Sequence, residues 1–200
     1  MNGQRFQINI VPSYYSAADL MLLTTITPVH AGIGRTGGTV DLPIQRDSWG
    51  LPCIWGSSIK GALRTAFRGG GSVSDDEVLI FGPEREDAWR HAGALNILDA
   101  RLLLLPTPSL KGGYVFATTD LMIERSRTIW EISKKEDLAE EAVKLRSALS
   151  SSRKALVSSD KVVLSGKVWV GDKAFETDMD QAESVKKFFE SIFKLSLIHI

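Results

Sequence analysis

The stretch PCIWGSSIKGALRTAFR, residues 52–68, changes character at Gly56. Before it the chain is short and apolar: Cys53, Ile54 and Trp55. After it, Ile59, Ala62, Leu63, Ala66 and Phe67 fall at helical spacing and form an apolar stripe suited to a core. This predicts a helix over 57–68, with a serine as its N-cap and Gly69, Gly70 and Gly71 ending it. Lys60, Arg64 and Arg68 follow one another every fourth residue and so share one face. A turn of Gly56, Ser57 and Ser58 opening a helix offers unpaired backbone N–H groups and the positive end of the helix dipole. With Lys60 and Arg64 projecting from the first turns, the segment suits a phosphodiester backbone. A capped surface helix with solvated charges is the plain alternative.

Upstream lies HAGIGRTGGTVDLPIQRD, residues 30–47, and with it an anomaly of composition: ten of the 17 glycines fall between Gly32 and Gly71. Glycine costs backbone entropy, so such clustering needs a turn at positive φ or a close approach of backbone to a ligand. Residues 32–37 match G-x-G-x-x-G, but Gly38 to Pro43 is a poor helix start, which argues against a dinucleotide site. A P-loop fails too, because Lys60 is followed by Gly61 rather than Ser or Thr. Asp41 has two readings. It is a turn carboxylate accepting backbone N–H bonds, or it takes part in metal binding or proton transfer beside a scissile phosphate. His30 is a candidate general base, though a histidine at a strand end is more often structural. His91 and His199 have no recognisable partner, and no Ser/His/Asp triad or zinc motif can be assembled. Trp49, Trp55, Trp89, Trp130 and Trp169 offer rings for base stacking, but tryptophans more often serve a core.

Elsewhere the pattern alternates strands and helices. Residues 5–11 alternate polar and apolar, and 20–27 (LMLLTTIT) read as a core strand stopped by Pro28. Residues 39–44 read as a short extended piece held to an edge by Pro43. A short helix is predicted over 75–81, a bent strand over 93–105 ended by Pro106, and a strand over 113–119. Helices follow at 120–127 and 132–149, then a strand or hairpin at 161–170 and an amphipathic helix at 181–195. Residues 150–160 (SSSRKALVSSD) read as a linker. Formal net charge is zero over 200 residues, so the whole chain is no basic nucleic-acid binder, yet residues 31–70 alone carry net +3. The single Cys53 excludes a disulfide within the chain and reads as a small buried hydrophobe. No signal-peptide-like run opens the chain and no stretch approaches the ~20 apolar residues of a membrane span. A cytoplasmic location is the default expectation, with no membrane partner.

Residues 26–34 (ITPVHAGIG), 40–46 (VDLPIQR) and 52–64 (PCIWGSSIKGALR), in this order and spacing, resemble the RAMP superfamily of CRISPR proteins. More narrowly they resemble the repeated backbone subunit of the type III-B (Cmr) effector complex. Phe81-Gly82 and residues 104–112 (LLPTPSLKG) continue the similarity. It is dense from Thr24 to Arg68 and thinner to Arg127; the equivalent type III-A subunit is the nearest alternative. The resemblance implies an α+β, ferredoxin-like, RRM-related fold. It implies a subunit that stacks with copies of itself and other type III effector subunits along a guide crRNA. That subunit would be an endoribonuclease cutting paired single-stranded target RNA. It places Asp41 at the family's catalytic aspartate; one carboxylate is a poor metal site by itself, so a divalent ion (Mg or Mn) at Asp41 is expected only with RNA bound, and His30 stays the second catalytic candidate. It places Lys60 and Arg64 where the family contacts guide-RNA phosphates; Gly56, Ser57, Ser58, Gly32, Gly34 and Arg46 are the further RNA-binding candidates.

The sequence departs from that family in its later part. No second glycine-rich loop follows, Gly171 being the last glycine, and LSLIHI (195–200) resembles translated sequencing adapter. The expected organisation is an uncertain extension at 1–20, a ferredoxin-like core at 21–150, a truncated second half at 151–195, and a spurious tail at 196–200. Two rivals share the sequence evidence. One is a non-catalytic crRNA-binding scaffold with a structural Asp41. The other is a metal-independent CRISPR-repeat-processing ribonuclease using His30.

Overall fold

The computed structural model describes residues 16–34 and 43–195. The chain forms two compact units, residues 25–102 and residues 103–195 together with 16–24.

In the first unit, β1 (Cys53–Ile54) leads into α1 (Gly56–Arg68), then α2 (Asp75–Phe81) and β2 (Ala100–Arg101), which pairs antiparallel with β1. Cys53 is buried, as its apolar neighbours imply. The start of α1 differs from expectation. Trp55 occupies the N-cap position and its own side chain makes no capping bond, so neither serine is the N-cap; Gly69, in the left-handed region, ends the helix as predicted. The apolar stripe of α1 also differs. Ile59 is buried, but Leu63 and Phe67 are 38% and 51% exposed, and Ala62 and Ala66 lie at the surface. Helical spacing identifies a face and not what covers it. Phe67 finds one partner, the Phe81 ring at 5.7 Å.

The span of α2 is the one predicted. The Ser74 hydroxyl accepts from the Glu77 N–H, and three acidic residues sit in its first turn where the dipole favours them. Its last carbonyls are used by the next segment: Ala94 N donates to Leu79 O and Leu95 N to Ile80 O, both at 2.9 Å. This approach is possible only because residue 93 is glycine. A Cβ there would lie 2.4 Å from the Phe81 carbonyl carbon and 2.5 Å from Gly82 N. Gly93→Ala is therefore expected to destabilise the chain by roughly 1–3 kcal/mol through overpacking, read as a fall in the urea midpoint.

In the second unit, β3 (Leu105–Ser109) and β4 (Gly113–Ala117) form a hairpin, followed by α3 (Asp120–Ile132) and α4 (Glu136–Ser151). Then come β5 (Ala155–Leu156), β6 (Lys167–Val170), β7 (Lys173–Asp178) and α5 (Ala182–Leu195), the strands ordered β5-β7-β6. The core joins the three helices: Ile123 and Trp130 of α3, Leu138, Ala142 and Leu145 of α4, and Val185, Phe188 and Ile192 of α5. Trp130 and Phe188 meet edge to face at 5.8 Å. Arg146 of α4 binds Asp120 and Glu124 of α3, holding the helix pair from outside.

Four further expectations change. Residues 20–27 form no strand: Leu20 and Leu22 pack on the core while Met21, Leu23 and Ile26 are exposed, because the run has no ladder partner among the described residues. The predicted strand at 93–105 is largely irregular, and Pro106 does not end it but lies, with Pro108, inside β3. Both prolines are tolerated because, among the described residues, β3 pairs with a strand on one side only. The Pro108 carbonyl faces away from β4 and accepts from Gly171 N at 2.9 Å. The break between α3 and α4 falls at 133–135, where Lys134 adopts φ 57°, rather than at 128–131. The stretch 150–160, read as a linker, carries β5, whose pairing with β7 is parallel, and the buried Val157. Residues 5–11 and 39–42 lie outside the described residues.

Candidate nucleic-acid interface

The glycine-rich segment is pinned at both ends. Ile33 N donates to Pro43 O at 3.1 Å and Gln45 N to Ala31 O at 2.7 Å, so 31–33 runs antiparallel to 43–45. Asp41, the candidate catalytic residue and metal ligand, lies outside the described residues, two positions before Pro43. Gly32 and Gly34 are exposed on the upstream side. Gly34 has φ +91°, a conformation that favours glycine, and His30 is exposed with its ring beside Gly32.

Downstream, a tight turn is built on Asp47, whose Oδ1 accepts from Trp49 N and Leu51 N. Arg46 donates from Nη1 to Gly50 O at 2.7 Å and stays exposed. Cys53 N then donates to Gln45 O at 3.1 Å, which brings the start of α1 alongside the pinned segment.

Gln45 joins these pieces. Its side chain is buried and makes three bonds among the described residues. Oε1 accepts from Trp55 N at 2.6 Å, while Nε2 donates to Gly32 O at 3.1 Å and to Ser58 Oγ at 2.9 Å. One amide thus ties the glycine segment to the first turn of α1. Sequence reading passed over Gln45 because an uncharged side chain carries no chemistry of its own. Its signal was a polar residue next to Pro43 and Ile44 in a stretch otherwise apolar on that side.

The opening of α1 is less bare than its sequence implies. Gly56 N donates to Asp99 Oδ1 at 2.7 Å, so one of the four terminal N–H groups already holds a carboxylate. Gly56 is glycine for packing reasons as well, since a Cβ there would lie 2.1 Å from Ile97 O. Ser57 and Ser58 are exposed in the first turn.

The three basic residues of α1 differ in their surroundings. Lys60 makes no ion pair among the described residues and is half-buried. Arg64 donates from Nε to Glu77 Oε1 at 2.6 Å, and Arg68 binds both Glu77 oxygens, at 2.6 and 2.9 Å, and Glu84 at 3.0 Å. Glu77 is buried, and the Arg68 bonds, then the Arg64 bond, pull its pKa from 4.5 to about 2. The same bonds to Glu77, then to Glu84, raise Arg68 above its ordinary value. Two of the three charges are thus already partly compensated, and Lys60 carries the least encumbered one.

Trp49, Trp55 and Trp89 are exposed by 67%, 40% and 80%, against the expectation that tryptophans fill a core; Trp130 does fill one. Among the described residues no group of three or more His, Cys, Asp or Glu side chains could hold a metal ion. Nor is any described helix long and apolar enough to cross a membrane.

The model of the RAMP superfamily matches residues 22–197. The chain is 34% identical over 181 residues to the CRISPR system Cmr endoribonuclease Cmr4 of Pyrococcus furiosus, covering 88% of this chain and 59% of that protein. It is 27% identical over 129 residues to the CRISPR system CMR subunit Cmr4 of Saccharolobus solfataricus, covering 61% of this chain and 41% of that one. The crystal structure of oligomeric Cmr4 from Pyrococcus furiosus superposes with a TM-score of 0.60 at 28% identity, over 83% of this chain and 58% of the other. The chain spans less than two thirds of the length of these relatives.

Proposed function

Because this chain belongs to the RAMP superfamily, we propose that it is a backbone subunit of a type III-B CRISPR effector, binding guide crRNA and cleaving the target RNA paired to it. The observation that carries this reading is the junction at Gln45, which sets the exposed glycines 32 and 34 beside the serine-rich opening of α1 and Lys60. Such a surface offers hydroxyls, backbone groups and the cations Lys60 and Arg46, which suit a sugar–phosphate chain. Sequence is then left to pairing between guide and target, and the protein holds backbone and shape. The near-match in length only to part of the relatives makes the assembled complex, with further copies of this chain and other type III subunits in the cytoplasm, part of the same proposal.

In this reading Lys60 contacts a guide phosphate as a point charge, Ser57 and Ser58 supply donors, and Arg46 and Arg64 border the path of the strand. Asp41 faces the target strand as the acid–base group. The described residues contain no group of three or more His, Cys, Asp or Glu side chains that could hold a metal ion; a divalent ion (Mg or Mn) at Asp41 would take its remaining ligands from RNA phosphate oxygens and water. The fold is read as ferredoxin-like, with the pairing of β5, β7 and β6 against three packed helices as its support.

Lys60→Ala tests the grip on the backbone. It is expected to weaken guide binding for all sequences alike and to flatten the dependence of log affinity on log salt by about 0.7, one single-strand phosphate contact. Anisotropy titrations of several unrelated guides over a salt series measure this. A loss confined to particular guide sequences would contradict backbone recognition.

A further inference from the structure

Gln45 does more than join two segments, because its amide can be oriented in one way only. The Trp55 N–H can only donate and the Gly32 carbonyl can only accept, so Oε1 must face the first and Nε2 the second. A flipped amide would set NH2 against N–H and oxygen against oxygen. It follows that the 2.9 Å bond to Ser58 runs from Nε2 to Oγ, and that Ser58 is the acceptor in it. Ser58 carries one hydroxyl proton, and that proton has no acceptor among the described residues. The side chain is exposed in the first turn of α1, beside the helix end that favours anions.

We infer that Gln45 is a positioning residue that fixes Ser58 as a hydrogen-bond donor to a phosphodiester oxygen of bound RNA. The inference rests on the RNA-binding reading above. Because the amide is neutral, it sets the direction of the Ser58 hydroxyl without adding charge. A ligand oxygen that only accepts, as a phosphate oxygen does, can then meet the Ser58 proton, which has no competing acceptor in Gln45. The same amide covers the Gly32 carbonyl, whose partial negative charge would otherwise face the phosphate.

The test is a double-mutant cycle on the 200-residue chain, read by anisotropy with a labelled single-stranded RNA of mixed sequence. Ser58→Ala is expected to weaken binding about tenfold, the loss of one hydrogen bond to a charged acceptor. It should leave the salt slope unchanged, unlike Lys60→Ala. Ser58→Thr keeps the hydroxyl and should bind like the parent. Gln45→Glu still accepts from Trp55 but has no hydrogen for Ser58, and draws the Ser58 proton to itself. Affinities are compared at about 1 M salt, where the long-range repulsion of the added carboxylate is screened. Gln45→Glu should then cost about as much as Ser58→Ala, and the double variant no more than either single one. Additive losses, or parental affinity in Ser58→Ala, overturn the inference. If Gln45→Glu fails to fold by circular dichroism, the Ala and Thr variants at Ser58 decide alone. A parent chain that does not bind RNA at all overturns the RNA reading itself, and the two failures are thereby told apart.

Discussion

Asp41→Ala, introduced into the assembled effector with guide and target RNA, is expected to lower target cleavage by about 10²–10⁴-fold, the contribution of one acid–base group, while guide RNA stays bound. The separation of the two effects follows from how the flanking chain is held. The bonds that pin this segment, Ile33 N to Pro43 O and Gln45 N to Ala31 O, run between backbone atoms, and Gln45 secures the Gly32 carbonyl from the other side. These anchors lie on either side of Asp41, and the expectation is that its truncation acts on cleavage while they hold the flanking chain. Single-turnover cleavage of a labelled target, alongside guide retention on a filter, measures both quantities. Unchanged cleavage eliminates the nuclease reading and leaves the crRNA-binding scaffold standing. Cleavage that survives a chelator and disappears in His30→Ala supports the repeat-processing rival instead.

The second large effect is on stability. Glu77→Gln is expected to lower the thermal midpoint by roughly 10 °C, because it leaves two guanidinium groups facing a buried site without their shared anion. The carboxylate receives bonds from Arg64 and Arg68 on α1 while sitting on α2, so it is the main polar tie between these helices. Its pKa also gives the effect a pH signature. Lowered from 4.5 to about 2, the carboxylate stabilises the fold fully above about pH 4.5, and that contribution is lost as pH falls toward about 2. The thermal midpoint of the parent should fall across this window more steeply than that of Glu77→Gln, which has no proton to take up there. Parallel pH profiles would disprove the assignment.

How much of this was legible beforehand depends on what each feature is made of. The bounds of α2 could be read because Ser74, the acidic first turn and Gly82 are local signals, and they act locally in the structure. The strand predicted over 113–119 could be read for the same reason, although it ends at Ala117. The surface of α1 could not: Leu63 and Phe67 have the spacing of core residues, and only tertiary packing decides whether anything covers them. Pro106 misled because proline bars a strand only where its missing N–H is needed, and among the described residues β3 has a strand partner on one side only. At the candidate site the individual residues were visible, but their relations were not. Arg64 looks like a free phosphate ligand in sequence, and its partner Glu77 lies thirteen positions away on another helix. Asp99, at the mouth of α1, lies 43 positions from Gly56. No periodicity connects residues that far apart.

The two prolines of β3 also bear on how many copies of this chain can gather safely. By the two-residue alternation of a strand, Pro106 and Pro108 turn their backbones to the same outer margin, and neither has a hydrogen to give there; the Pro108 oxygen is already taken by Gly171. Along this margin a strand from another molecule would find fewer hydrogen bonds to make, so the two prolines weigh against growth of the hairpin by edge pairing.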